Sequence, residues 1–388
     1  MKNLILEAID GIRGELVELS MEIHRNPELA FKEYKACAAL AEFLRKHGFT
    51  VETGIAGLET AFRAVRDFGE GPTVAFIAEY DALPEIGHAC GHNLIAMMAA
   101  GAAAGLAAAG DGFKGKVTVL GTPAEEGLGG KLNMLDGGAF DDVDFALMVH
   151  PSGENLINRT STALQHWTVA FAGKNAHSSN PQNGINALTA AMQTFHNIDV
   201  LRPLMPLTAN INGIITEGGT AANIITDRAV AEFTVRAKTL DDLHIVCDYI
   251  TRAVKAAEVL TGASATVCRD ACYAEFHPNR AMNRAFGDNM SGLGIVMNEA
   301  DNEGKYGSSD IGNVSLKVPS VHAYLEIGSN YPGHHLGFTE ASASDYAHIM
   351  AVKAAKGLAL TGFDIMADEA LRKRIRDEFE KEVLYPTT

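Results

Sequence analysis

The chain has 388 residues, 47% hydrophobic and 21% charged, which is enough apolar side chain for more than one core and argues against a disordered polymer. A formal net charge of −16 with histidine neutral argues against nucleic acid or an anionic membrane as a principal partner. Glu7 and Asp10 interrupt the first residues, so no secretory signal is read there, and five scattered cysteines (Cys37, Cys90, Cys247, Cys268 and Cys272) fit a reducing cytoplasm.

Ile5, Ile9, Ile12, Leu16, Leu19 and Ile23 recur at three- and four-residue steps, predicting one amphipathic helix. A second helix is expected over residues 34–47, stopping at Gly48. The apolar run from Thr73 reads as a strand buried on both faces, as do the runs from Val117 and Phe145. An Ala-rich helix after His92 and a helix after Gly130 separate them. Residues 94–110 are too short and too weakly apolar for a membrane span. This alternation predicts an α/β layer fold with a mostly parallel central sheet flanked by helices.

After about residue 162 the pattern changes. A half-exposed strand from Leu164 is followed by a helix over 185–198, strands over 210–215 and 229–237, a helix over 241–260 and a strand over 265–269. Read in order this is β-α-β-β-α-β, a ferredoxin-like α+β unit. Near Pro278 the chain returns to the first domain, with closing helices after Thr339 and Asp368. The predicted organisation is a first domain of residues 1–162 and 277–388 interrupted by an inserted domain, residues 163–276.

Four clusters carry chemistry, each after a predicted strand or in a loop, where open α/β sheets place their sites. Glu79 and Asp81 point to one side of an extended chain, although a solvated loop start would look the same. In Gly87-His88-Ala89-Cys90-Gly91-His92-Asn93, a thiolate and an imidazole two residues apart can face one metal. A cysteine nucleophile with a histidine base is the competing chemistry, and an inert buried cysteine the bland one. In Gly121-Thr122-Pro123-Ala124-Glu125-Glu126-Gly127, one carboxylate can ligate a metal while its neighbour takes a proton from water. His150 and the pair His334-His335 complete an inventory that fits two metal ions.

The GHACGHN string, the GTPAEEG segment, Val149-His150-Pro151 and the late His334 resemble the two-metal aminoacylase and carboxypeptidase family. That family includes indole-acetyl-amino-acid and p-aminobenzoyl-glutamate hydrolases. The Glu79-Tyr80-Asp81-Ala82-Leu83-Pro84 run is most similar to its aminoacylase-like dipeptidases. The resemblance covers residues 10–365 and implies a zinc-exopeptidase-like domain carrying an inserted lid and dimerisation domain. It further implies a homodimer formed through that insert, acting on small N-acyl amino acids or dipeptides.

By position, the resemblance implies Cys90 as the ligand shared by two divalent ions, with His92, Glu126, His150 and His334 as further ligands. Glu125 matches the general base and Asp81 a carboxylate behind the ligands. His177 matches a histidine that polarises the scissile carbonyl; Asn223 and Arg236 match substrate-binding positions. A planar, permanently charged guanidinium suits a substrate carboxylate, though a strand-edge ion pair accounts for Arg236 equally well. His335 stays open as the alternative to His334. Zinc is the first expectation for the metal, with manganese, cobalt or nickel also compatible with mixed N, O and S ligands. Two rival readings are a cysteine amidase using Cys90 and a non-catalytic binding or scaffold protein.

Overall fold

A computed structural model describes residues 1–301 and 307–384. These divide into two compact units, one made of Met1–Thr160 with Phe276–Thr388 and the other of Ser161–Glu275.

In chain order the strands are β1 (Thr50–Thr53), β2 (Phe62–Asp67), β3 (Thr73–Glu79), β4 (Lys116–Thr122), β5 (Phe145–Ser152) and β6 (Leu156–Ile157). They continue with β7 (Ala163–Ala172), β8 (Asn210–Glu217), β9 (Arg228–Ala237), β10 (Ser264–Arg269), β11 (Asn298–Glu299) and β12 (Ser320–Glu326). The larger unit holds an eight-stranded sheet in the order β1-β2-β4-β3-β5-β12-β6-β11. Its centre, β4-β3-β5-β12, is parallel, and the β1-β2-β4 edge is antiparallel. Every residue of β3 is buried, as its continuous apolar run requires of a strand covered on both faces.

The Ala-rich segment is a core helix, His92–Ala108, buried at all but its last residue. Small side chains make this possible. A Cβ on Gly105 would sit 2.4 Å from Ile9 Cγ1, and one on Gly101 2.8 Å from Leu16 Cδ1, so the N-terminal helices approach closer than larger residues would permit. Among the described residues no helix is long and apolar enough to cross a membrane.

Two expectations need correction. The first helix is two, Lys2–Gly11 and Arg13–Arg25, divided at Ile12 (φ −102°, ψ 6°), because Gly11 and Gly14 flank a point where backbone freedom is cheap. The apolar period survives the break, which is why it hid the break. Strands β1, β2, β6, β11 and β12 are additions to the predicted elements. β12 lies in the middle of the sheet, yet its sequence Ser-Val-His-Ala-Tyr-Leu-Glu mixes polar and apolar side chains and gives no continuous run.

The second unit is an antiparallel sheet in the order β10-β7-β9-β8. Helices Ala187–Leu201 and Leu240–Thr261 pack against it. Trp167, Val169, Phe171, Phe233, Val235, Ile250 and Val254 form its core. The β-α-β-β-α-β order with the first and third strands central is the ferredoxin-like arrangement.

Candidate metal centre

The parallel strands β3, β4 and β5 end side by side, which gathers their following loops at one edge of the sheet. Glu79 closes β3 opposite Thr122 of β4, Asp81 follows at once, and His150 lies late in β5 opposite Tyr324 of β12. The loop bearing Cys90 is held by its glycine. Gly91 has φ +78°, and a Cβ there would meet Pro151 Cγ at 2.9 Å, so only glycine fits without displacing the strand that carries His150.

Among the described residues four groups of ligand-type atoms converge: Cys90 with His92 and His150; Cys90 with Glu126 and His334; His92 with Glu125 and Glu126; and Glu79 with Glu125 and Asp310. Cys90 belongs to the first two. Its Sγ lies 3.4 Å from His150 Nε2, and His334 Nε2 lies 3.2 Å from Glu126 Oε1. His92 Nε2 stands 4.0 Å from both Glu125 Oε2 and Glu126 Oε1. His334 reaches in from a backbone with φ +66°, its N–H bonded to Ala89 O at 2.8 Å. His335 turns elsewhere. Its ring accepts from Gly337 N and stacks on Tyr331 with centroids 4.3 Å apart.

The surroundings fix the tautomers. His92 Nδ1 lies 3.0 Å from Asp81 Oδ1 and His150 Nδ1 lies 2.7 Å from Pro151 O. Each Nδ1–H is thereby engaged, which aims the Nε2 lone pairs of both rings into the cluster. Asp81 Oδ2 accepts from the Glu126 amide at 2.9 Å, so one buried carboxylate orients a histidine and a glutamate together.

The donor set calls for cations. His92 Nε2 and Glu79 Oε2 are buried, face each other at 3.6 Å and have no hydrogen-bond partner among the described residues. Burial pushes the Cys90 thiol far above its usual range, and burial lowers His150 to about 4. A cysteine with two imidazoles and a carboxylate suits divalent ions, whose charge would hold the sulfur as a thiolate. Burial and then the charges of Glu79, Glu126 and Asp310 raise Glu125 well above the usual carboxylate range. Glu126 goes the other way. Burial would raise it, but the bond to His334 and the nearby His92 hold it low.

The fourth acidic group already has its cation, and it is one that the sequence motifs do not reveal. Lys131 is fully buried, with Nζ 2.6 Å from both Glu79 Oε1 and Asp310 Oδ1, and its amide bonds Asp310 Oδ2 at 2.9 Å. Burial alone would lower its pKa, but Asp310 and Glu79 raise it above the usual lysine value. Glu79 is therefore an ion-pair partner of Lys131 on one oxygen, with the other oxygen facing His92.

The remaining candidates belong to the second unit. His177 is exposed, with Nδ1 2.8 Å from Ser179 Oγ. Its segment bridges to Ile224, and Ser178 N donates to Asn223 O at 2.9 Å; residues 177 and 223 are thus neighbours despite their separation in sequence. Arg236 lies half-buried on β9 between Leu164 and Asn210.

Residues 162–260 match the model of a peptidase dimerisation domain. Over 98% of this chain and 92% of its own length, a mouse Xaa-Arg dipeptidase is 37% identical. A p-aminobenzoyl-glutamate hydrolase chain of Escherichia coli is 26% identical over 97% of this chain and 94% of its own. In fold, the chain resembles the crystal structure of a dinuclear metal-binding peptidase of the M20 family from Bacillus subtilis, with a TM-score of 0.70 and 20% identity over 92% of this chain and 99% of that one. With strand order, clustered ligand-type residues and full-length relatives in agreement, the chain belongs to the M20 family of metallopeptidases, which hydrolyse amide bonds.

Proposed function

We propose that this enzyme hydrolyses dipeptides or N-acyl amino acids at a two-metal centre, and that dipeptides with a C-terminal arginine are its preferred substrates. The observation that carries the two-metal reading is the position of Cys90, shared between one triad with His92 and His150 and another with Glu126 and His334. The similarity to Xaa-Arg dipeptidase and the net charge of −16 support a basic substrate.

Each triad would hold one divalent ion, zinc in the first instance. Such ions supply Lewis acidity that makes water acidic near neutral pH and polarises the amide carbonyl. Glu125 takes a proton from the attacking water as the new C–O bond forms. It returns that proton to the leaving nitrogen as the C–N bond breaks. Its position supports this role, since Glu125 stands in one group with His92 and Glu126. His177 would stabilise the developing oxyanion, while Asn223 and Arg236 would hold the substrate carboxylate. The second unit would form a homodimer, and five scattered cysteines fit a cytoplasmic enzyme.

The test is elemental analysis together with hydrolysis of a dipeptide and N-acyl amino acid panel before and after chelation. Two divalent ions per chain, chelator-sensitive turnover and preference for C-terminal Arg are expected. Full turnover by metal-free protein, abolished by a thiol-alkylating reagent, would move the chemistry to Cys90.

A further inference from the structure

Ala124 occupies a conformation that side chains with a Cβ seldom adopt. Its φ is +59°, and holding a non-glycine residue there costs about 1–2 kcal/mol unless the surroundings impose it. The residue directly precedes Glu125 and Glu126, so its backbone sets the direction in which both carboxylates leave β4. Both carboxylates approach His92, and beyond that shared neighbour Glu125 joins Glu79 and Asp310 while Glu126 joins Cys90 and His334.

One buried side chain faces this strained amide. Glu33, fully buried at the start of helix Tyr34–Lys46, accepts from Ala124 N–H at 2.9 Å through Oε1. The same oxygen accepts from Phe31 N–H at 2.9 Å, and Oε2 accepts from the Thr60 hydroxyl at 2.8 Å. Three donors from three separate segments therefore fix the carboxylate. On the far side of Ala124, the Glu126 amide is tied to Asp81. Glu125 hangs between these two anchors.

We propose that Glu33 is a positioning residue for the reaction, holding the Ala124 amide in its left-handed conformation so that Glu125 points at the attacking water. This inference rests on the reading of Glu125 as general base. It separates the two adjacent glutamates by mechanism. Glu126 has its own clamp through Asp81, so loss of Glu33 affects proton transfer more than ligand geometry.

The experiment compares Glu33→Met, which is similar in length and has only a weakly accepting thioether, with Glu33→Gln, whose carboxamide oxygen can still accept from Ala124 and Phe31. Both are assayed as metal-loaded full-length protein for kcat, KM and metal content. Hydrogen exchange of the peptide covering residues 121–127 is followed in parallel. Glu33→Met should lose at least about ten-fold in kcat, with KM within about two-fold, unchanged metal content and about ten-fold faster exchange at the Ala124 amide; Glu33→Gln should restore most of both. Unchanged exchange in Glu33→Met, faster exchange without loss of kcat, or Glu33→Gln as impaired as Glu33→Met would each overturn the proposal. If Glu33→Met does not fold, Thr60→Val takes its place, with a smaller kcat loss expected at constant KM and normal kcat counting against the clamp. A wild-type protein inert on the whole panel defeats the hydrolase reading instead, and the exchange arm still decides whether the clamp exists.

Discussion

Asp81 Oδ1 and the Asp81 backbone carbonyl each lie 3.0 Å from His92 Nδ1, and together they set which nitrogen of a fully buried imidazole faces the cluster. An acceptor at Nδ1 keeps the proton there and leaves Nε2 as a lone pair. Asp81→Asn removes the charged acceptor and can present an N–H to the same nitrogen, which leaves the backbone carbonyl at position 81 to hold the tautomer. Metal affinity should fall about 10–100-fold, measured by titrating stripped protein with zinc. Equal affinity in variant and wild type would show that the contact has no orienting role.

Glu125→Gln keeps the shape of the side chain and removes its ability to take a proton. Turnover should fall by about 10²–10⁴, with two ions per chain retained. A variant that loses a metal ion along with activity would identify Glu125 as a ligand rather than a base.

Lys131 neutralises two carboxylates in a fully buried cluster. Lys131→Met leaves Glu79 and Asp310 buried without their cation, a change that costs about 3–5 kcal/mol, read from urea unfolding. Adding Glu79→Gln and Asp310→Asn should recover much of it, because the stranded charge, rather than lost packing, is the source of the penalty. If the triple variant is no more stable than Lys131→Met, that account is wrong.

Burial, partly offset by hydrogen bonds from Thr60 and Phe31, raises Glu33 to about 7. The folded protein therefore keeps a proton that the unfolded chain releases above its ordinary value near 4.5. Stability falls as pH rises through that window, by up to about 3 kcal/mol at roughly 1.36 kcal/mol per unit. Glu33→Gln lacks this titration. Its stability relative to wild type should climb between about pH 4.5 and 7 and level off above; a difference independent of pH would contradict the raised value.

The architecture was legible where burial imposes a period. The apolar runs of β3, β4 and β5 and the repeats of the helices located the core of the larger unit, and the change of pattern near residue 162 located the second. β12 was not legible, since a central strand that places His322 and Tyr324 beside His150 carries ring chemistry in place of an apolar run. The ligand-type residues were legible because they cluster in short motifs. Lys131, Asp310 and Glu33 were not, because a single charged residue on a loop or helix start looks solvated until its partners are known.

The sequence by itself determined the chemical inventory: a cysteine, histidines and paired glutamates at the ends of buried strands, on a chain with the periodicities of two α/β units. Local spacing encodes that much, because strand and helix periods and motif steps act over a few residues. Only the tertiary structure decided which partner each group meets. It turned His334 rather than His335 toward Glu126, placed Lys131 between Glu79 and Asp310, and set Glu33 against an amide 91 residues away. Those contacts depend on charge and desolvation across segments distant in the chain, and only the folded chain brings them within hydrogen-bonding range.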